Sequence, residues 1–350
     1  VDDAIVALTT AATAADPCHV KIATTLLKHG VIDRAGIHLL QKAATEGKVA
    51  LVRDLLGCKI HPNGRSYFEG SGTPLEAAII SPRRGTVMAT ITALLEAKAT
   101  VNAHHFNKAC VESPINCLYP LAMAMKDQSL RLCRIDFVIK QGLADTLQRL
   151  LQRKVKTSNH CADFVHTAVV SEQTRCVQIL LAAGFRSKNP CYTLRIAARS
   201  CVGIATLLRQ TGHDFDSCLA RRRCMYGILV IGAYAGLQWM LDNYEWHTAS
   251  LSQFLLRDIK EQGGRPTTVS ILLNAKAQPL RATQYTPSTL IRSVINFPVM
   301  NLLLRAKANP NTSSYQGRFA LHRRMTLQTA TCLLEAKADI NQAWRDGGTP

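Results

Sequence analysis

Apolar residues recur along this chain in a short motif that begins with two leucines and runs on through alanine and lysine. The motif reads LLEAKATVN at 94–102, LLRAKANPN at 303–311 and LLEAKADIN at 333–341, with a looser copy, LLNAKAQP, from Leu272. The last three leucine pairs are separated by 31 and 30 residues. A unit of this length cannot bury its own apolar face, so neighbouring units must stack to form a core.

A more polar pattern precedes the leucine motif. It reads GTPLEAAI at 72–79 and GRFALHRRM at 317–325, and each copy is followed by a short break and an apolar stretch. Thr73 suits a helix N-cap, since its hydroxyl can accept from an unpaired backbone N–H, and Pro74 suits the first helical position. We therefore expect each unit to be a turn followed by two helices, which we call the first and second helix.

Weaker equivalents of the leucine pair occur in the rest of the chain. They begin at Leu26, Leu55, Val138, Leu180, Leu207 and Met240. The successive intervals are then 29, 39, 44, 42, 27, 33, 32, 31 and 30 residues, which gives ten units. We attribute the longer intervals to finger-loop insertions at His61–Gly70 and Asn102–Ser113 and to an extra helix at Thr146–Lys156.

These units resemble the ankyrin repeat, a β-turn followed by two antiparallel helices with the signature T-P-L-H-x-A. Glu76 stands where the family usually has histidine. The matching residues are Thr73, Pro74, Leu75, Ala77, Ala78, Ala320, Leu321 and His322. The last six residues, RDGGTP, match the opening of a further unit, so we expect the chain to be part of a longer array.

The resemblance implies an all-α fold, an α-solenoid of about ten stacked helix-turn-helix repeats with short finger loops. We expect a single array over residues 1–350, in which 72–102 and 266–350 are the clearest units. The divergent middle, 103–265, lacks the signature and keeps only amphipathic helix pairs. A different type of α-solenoid is the alternative for this stretch.

The residue that ends the second helix differs between units. In the ankyrin pattern it takes a left-handed conformation that glycine adopts freely. The early and middle units have Gly30, Gly142, Gly184 and Gly212 near this position, whereas four others have Lys98, Lys276, Lys307 and Lys337. We expect these lysines to be left-handed at a cost of about 1 kcal/mol each, partly offset because a cation suits a helix C-terminus.

The composition agrees with short stacked helices, because aromatic residues make up only 6% of the 350 residues. The longest uncharged stretch, Cys224–Leu241, contains Gln238 and three glycines and follows the repeat register, so we predict no membrane span. None of the twelve cysteines forms a C-x-x-C pair. We expect buried free thiols in a reducing compartment, the cytoplasm or alternatively the nucleus.

Catalytic motifs are missing from the sequence. It contains no glycine-rich phosphate loop ending in Lys-Ser/Thr, no H-E-x-x-H and no G-x-S-x-G. The pattern predicts a non-enzymatic, monomeric scaffold that binds other proteins and needs no metal or cofactor. If binding follows the ankyrin family, it uses the finger tips and the concave face of the first helices. Residues of the types that dominate protein interfaces occur at these tips: Arg281, Tyr285, Tyr315, Arg318, Trp344 and Arg345.

The charge supports an alternative function. The formal net charge is +18, and between Asp145 and Cys224 there are 13 Lys or Arg against 5 Asp or Glu. A basic solenoid of this kind could bind nucleic acid or other phosphate-rich or acidic partners. Two runs form the predicted basic patch: Arg153, Lys154 and Lys156, and Arg221, Arg222 and Arg223. No aromatic residues alternate with these runs, which favours protein partners over nucleic acid.

Overall fold

The computed structural model describes residues 33–65, 72–125, 134–152, 163–279, 288–314, 317–343 and 349. Helices are the regular secondary structure of these residues, and the only β-type pairing within them is an isolated bridge between Val101 and Met125. The predicted all-α class is therefore confirmed. The chain divides into two compact units between Lys188 and Asn189, and each is described separately.

In its described residues the first unit contains ten α-helices, with a short 3₁₀ helix, Ile115–Cys117, before α6. They are α1 Asp33–Thr45, α2 Val49–Gly57, α3 Pro74–Ile79, α4 Arg84–Glu96, α5 Ala103–Glu112, α6 Leu118–Ala124, α7 Ile135–Lys140, α8 Ala144–Gln152, α9 Phe164–Val170 and α10 Thr174–Ala182.

The second unit contains nine α-helices in its described residues, with a 3₁₀ helix, Ala320–His322, before the last one. They are α11 Pro190–Ser200, α12 Val202–Gln210, α13 Cys218–Ile231, α14 Tyr234–Asn243, α15 Thr248–Gln262, α16 Pro266–Asn274, α17 Thr289–Ser293, α18 Phe297–Arg305 and α19 Leu327–Glu335. Within the described part of the chain, none of the helices is both long and apolar enough to cross a membrane.

The helices form consecutive pairs. Each odd-numbered helix from α1 to α17 packs on the helix that follows it, and α19 packs on the 3₁₀ helix before it. First helices also pack on first helices: α1 on α3, α3 on α5 and α7 on α9 in the first unit, and α11, α13, α15 and α17 in series in the second. Second helices pack likewise, α6 on α8 and α8 on α10 for example, and α12, α14, α16, α18 and α19 in series.

The leucine motif supplies the core of these pairs. In eight second helices, one member of the apolar pair is completely buried. These residues are Leu55, Leu94, Leu180, Leu208, Met240, Leu272, Leu303 and Leu333. Burying a leucine side chain contributes about 1.5–3 kcal/mol, and because the covering atoms come partly from the next pair, neighbouring pairs stabilise one another.

The region between Leu94 and Leu180 differs from the predicted register. Residues 103–112, predicted to be a finger-loop insertion, form helix α5, which packs on α3 as a first helix does. The predicted extra helix, Thr146–Lys156, is described as α8 up to Gln152, and it packs on α6 and α10 as a second helix. Val138 and Ile139 belong to the first helix α7 and not, as predicted, to a second helix.

This difference has a simple cause. Helix α6 carries no leucine pair, and its buried residues are Leu118, Leu121 and Ala122. If Leu121 and the buried Leu150 of α8 mark the second helices, the intervals from Leu94 to Leu180 become 27, 29 and 30 residues. Three pairs of ordinary length therefore occupy the two long intervals. The described residues hold ten pairs, and the pair predicted around Leu26 lies outside them.

Hydrogen bonds at the start of α5 identify it as a first helix. The His105 backbone N–H donates to Asn102 Oδ1 (3.0 Å), and the Asn102 backbone N–H donates to His105 Nδ1 (3.2 Å), which is a capping box. Thr73 and Glu76 form the same box at the start of α3. His105 Nε2 also lies 3.0 Å from Thr73 Oγ1, so the two helix starts are hydrogen-bonded to each other.

The C-termini of first helices are capped by the pair that follows. Ser81 Oγ donates to the carbonyl of Thr45 (2.7 Å), the last residue of α1, and Ser113 Oγ donates to that of Ile79 (2.8 Å), the last residue of α3. In the second unit, Arg265 donates to carbonyls at the end of α13, and Asn296 donates to those just after α15. Carbonyls without an intrahelical partner are thereby satisfied.

The left-handed helix ends are confirmed wherever they are described. Lys98, Lys276, Lys307 and Lys337 have φ of 64°, 69°, 60° and 67°. Gly142, Gly184 and Gly212 also have positive φ, and Gly30 lies outside the described residues. Lys59, with φ of 62°, ends α2 in the same way and was missed because Gly57 stands two residues earlier.

A buried carboxyl lies near the end of α15. Asp258 is 1% exposed, and its Oδ2 accepts from the Arg265 backbone N–H at 3.0 Å. Its Oδ1 is buried and has no hydrogen-bond partner among the described residues. Burial raises the pKa of Asp258, opposed by the Arg265 hydrogen bond and charge, because the ionised form is poorly solvated.

Replacing Lys307 by glycine should raise the thermal stability. Glycine removes the left-handed strain, so we expect a gain of about 0.5–1 kcal/mol in the free energy of unfolding, measured by thermal or urea denaturation. Lys307→Ala is the matched control, because it removes the same charge but keeps a Cβ at positive φ. If the glycine variant is no more stable than the alanine variant, backbone strain at this position is not the cause.

Replacing Asp258 by asparagine should stabilise the protein at neutral pH. Because the folded pKa lies above the unfolded one, the folded state holds the proton more tightly, and stability falls as pH rises through that window. We expect Asp258→Asn to add about 1 kcal/mol at neutral pH and to lose this advantage below the ordinary carboxyl pKa. Urea denaturation across pH measures this. The exposed Asp54→Asn is the control, and equal behaviour of both variants would contradict the prediction.

Candidate functional site

Most predicted finger-tip residues lie outside the described residues: Arg281, Tyr285, Tyr315, Trp344 and Arg345. The exception, Arg318, is exposed in the loop before the 3₁₀ helix 320–322, and its backbone N–H donates to Ser314 Oγ at 3.1 Å. The proposed alignment of three aromatic tips along one edge therefore stays a prediction.

The predicted basic patch does not form one cluster. Arg153, Lys154 and Lys156 lie outside the described residues, whereas Arg221, Arg222 and Arg223 lie in α13. Successive residues of an α-helix point about 100° apart, so these three side chains diverge. Arg221 lines a large groove, Arg222 Nη2 donates to Gln253 Oε1 of α15 (2.9 Å), and Arg223 lines a smaller cleft toward α11.

The large groove has a volume of about 870 Å³ and lies among α13, α14, α15 and α16 of the second unit. Its apolar wall comprises Leu241, Trp246, Leu251, Ile271 and Ala275. The volume falls within the range of binding sites for small ligands and peptide side chains. Four helices from two consecutive pairs contribute to it, so it depends on pair packing and could not be inferred from one unit.

The loop between α14 and α15 is held in place by aromatic contacts. Tyr244 Oη donates to Asp214 Oδ1 at 2.7 Å, and the guanidinium carbon of Arg209 lies 4.5 Å from the Tyr244 ring centre. Burial and the Asp214 hydrogen bond raise the pKa of Tyr244, so it stays a neutral donor. These contacts fix one wall of the groove before any ligand arrives.

Trp246, in the same loop, is anchored as well. Its Nε1 donates to the Met240 carbonyl at 3.0 Å, and its ring packs edge-on against Phe254 at 5.4 Å. The indole is half-buried and lines the groove. Ordering this side chain in advance lowers the entropy lost on binding, and tryptophan is a common hot-spot residue.

The charges around the groove are mixed. Arg221 lies on one side, with its guanidinium carbon 5.7 Å from the Tyr244 ring centre. Asp242 and Glu245 are exposed on its lining, and Asp242 accepts from Gln238 Nε2 at 2.8 Å. Glu245 has no ion-pair partner in the described part of the chain. The groove can therefore hold a cationic group beside an apolar one.

Sequence reasoning missed this aromatic environment. We expected no aromatic residue near the arginine runs, yet Tyr244 lies next to Arg221, and Tyr192 lies in the smaller cleft with Arg223. Both tyrosines are about twenty or thirty residues from the arginines in sequence, one repeat period away. The period itself is the signal that could have identified them, because residues one period apart lie on adjacent pairs.

The cysteines behave largely as expected. Cys110, Cys117, Cys176 and Cys224 are buried free thiols, and burial raises the pKa of Cys117 to about 11 and that of Cys224 to about 12. Cys58 and Cys332 are half-buried, and Cys133 lies outside the described residues. In the ranges that the structure describes, no group of three or more His, Cys, Asp or Glu is placed to hold a metal ion.

No family model matches this chain, and no curated protein matches it significantly. The resemblance to ankyrin repeats therefore rests on the motifs of the sequence.

Removing the Tyr244 hydroxyl should loosen the groove wall. Tyr244→Phe deletes the hydrogen bond to Asp214, so we expect about 1 kcal/mol less stability and faster amide exchange across residues 243–247. Hydrogen exchange followed by mass spectrometry measures this locally. Tyr234→Phe, at an exposed position of α14, is the matched control. Unchanged exchange in the Tyr244 variant would mean that the ring contacts alone hold the loop.

Proposed function

We propose that this chain is an ankyrin-like repeat protein, an α-solenoid that acts as a protein-interaction scaffold. The support is the combination of helix pairs spaced by about thirty residues, capping boxes on first helices, and left-handed residues after second helices. These are the elements that the ankyrin pattern combines. The matches at Thr73, Pro74 and Leu75 and the repeated leucine motif support the same family.

The groove of α13–α16 is the binding site that we propose for a partner protein. The observation that carries this proposal is its pre-ordered wall, in which Tyr244 and Trp246 are hydrogen-bonded before binding. With Glu245 and Asp242 beside an apolar wall, the groove suits a segment in which Lys or Arg lies next to a large apolar residue. The same carboxylates disfavour phosphate groups, which argues against nucleic acid at this position.

We further propose that the scaffold is cytoplasmic and acts without a cofactor. The nine free cysteines among the described residues support a reducing compartment. The alternative function, binding of nucleic acid by a basic solenoid, is supported by the net charge of +18 and is separated from the scaffold proposal by the experiment below.

The proposal can be tested by selecting peptides from a random library displayed on phage, at physiological salt. We expect enriched peptides to pair Lys or Arg with Leu, Phe or Trp, and to bind Glu245→Lys about tenfold more weakly than wild type. Glu335→Lys, the same change at an exposed position of α19, should bind normally. Enrichment of no common peptide, or equal loss in both variants, would contradict the groove as a binding site.

Capture from cell lysate, with and without nuclease, separates the two functions. Protein partners that survive nuclease and are lost from Glu245→Lys but kept by Glu335→Lys would support the scaffold. Partners that disappear after nuclease treatment would favour the nucleic-acid alternative.

A further inference from the structure

A second cleft, of about 340 Å³, lies in the second unit between the N-terminal halves of α11 and α13. Arg195 of α11 and Arg223 of α13 line it from opposite helices, together with Tyr192 and Leu219. Tyr192 is 47% exposed and Leu219 is 58% exposed. The cleft therefore presents two cations beside two apolar side chains.

Arg195 is held in place without an anionic partner. Its guanidinium carbon lies 4.8 Å from the Tyr192 ring centre, which fixes the orientation of the planar group. Its Nε is buried and has no hydrogen-bond partner among the described residues, and the same is true of Nε in Arg199, one turn further along α11. A buried N–H without an acceptor costs about 1–3 kcal/mol, which an incoming carboxylate or phosphate oxygen would recover.

Arg223 is also available to a ligand. It is exposed and makes no ion pair within the described residues. Asp216 is the only carboxylate that lines the cleft in the described part of the chain, and its Oδ1 already accepts from Ser217 Oγ at 3.2 Å. The positive charge of the two arginines therefore exceeds the negative charge beside them.

We infer that this cleft binds an acidic protein segment, in which carboxylate side chains contact Arg195 and Arg223 and a neighbouring apolar side chain packs on Tyr192 and Leu219. This inference extends the proposed scaffold function to a second site with the opposite charge preference from the groove. Arginine forms paired hydrogen bonds with carboxylates, and the stacked Arg195 is already oriented to do so.

Two observations favour an acidic protein segment over nucleic acid. Arg195 covers one face of the Tyr192 ring, so a base would have to displace the guanidinium to stack there. The exposed side chain of Leu219 lies in the cleft, and contact with it rewards an apolar residue but not a phosphate chain. A segment that alternates carboxylates with leucine or a similar residue satisfies both features.

Fluorescence anisotropy with a labelled peptide of repeating Glu-Leu-Glu sequence, at physiological salt, tests the inference. We expect the Arg195→Glu/Arg223→Glu double variant to raise the Kd about tenfold or more. Arg305→Glu/Arg324→Glu is the matched control, because it makes the same change of net charge at exposed positions that do not line the cleft. The control should change the Kd by about twofold or less.

Leu219→Ala separates the acidic segment from nucleic acid. It should weaken the peptide about threefold and leave a single-stranded DNA of equal charge unaffected. Far-UV circular dichroism checks that each variant keeps its helices, and Arg195→Gln/Arg223→Gln replaces the double variant if charge reversal unfolds it.

Three results would overturn the inference. These are no binding of the acidic peptide by the wild type, equal loss in the control, or tighter binding of the DNA with the same dependence on Arg195 and Arg223. Glu245→Lys should leave binding of the acidic peptide intact. Failure of the cleft with success of the groove would therefore reject this inference and keep the proposed function.

Discussion

The packing of each helix pair on its neighbour is the constraint on which the rest of this structure depends. A second helix of nine residues, such as α2 or α18, carries one fully buried leucine and too little apolar surface to fold alone. Stability therefore comes from a series of similar contacts within each unit. Because these contacts bury leucine and alanine whatever occupies the loops, the loops and helix ends are free to carry polar and aromatic residues for binding.

Hydrogen bonds between pairs add direction to this packing. Side chains just after one first helix donate to carbonyls at the end of the preceding first helix, as Ser81 and Asn296 do. The lysines in left-handed conformation do the opposite, since they introduce strain at the end of second helices. The helix ends thus combine one stabilising and one destabilising device, and the groove and the cleft both lie near first-helix starts, away from either.

The sequence was sufficient for those features that depend on local residues. The N-cap at Thr73, the left-handed lysines and the clear units at the C-terminus follow from short motifs and were confirmed by geometry. The three pairs between Leu94 and Leu180 were misassigned, because α6 lacks a leucine pair and Asn102–His105 replaces the expected T-P-L-H motif. Local signals there were present but differed in residue type.

The binding surfaces could be predicted only in part, for a different reason. Arg221 and Arg223 are adjacent in sequence, yet helical geometry directs them into two separate cavities. The partners of each arginine come from other pairs, one repeat period away, so composition along the chain cannot reveal them. What the sequence reports as one basic run is, in the folded chain, part of two sites with different chemistry.

The capping bonds between pairs also bear on how such a chain can lengthen. Their acceptors are backbone carbonyls, as at Thr45 and Ile79, and every residue supplies a carbonyl. A duplicated pair therefore meets a usable joint on its N-terminal side whatever residues stand there. The near-identical motifs at 303–311 and 333–341 are what recent duplication within such a tolerant framework would leave behind.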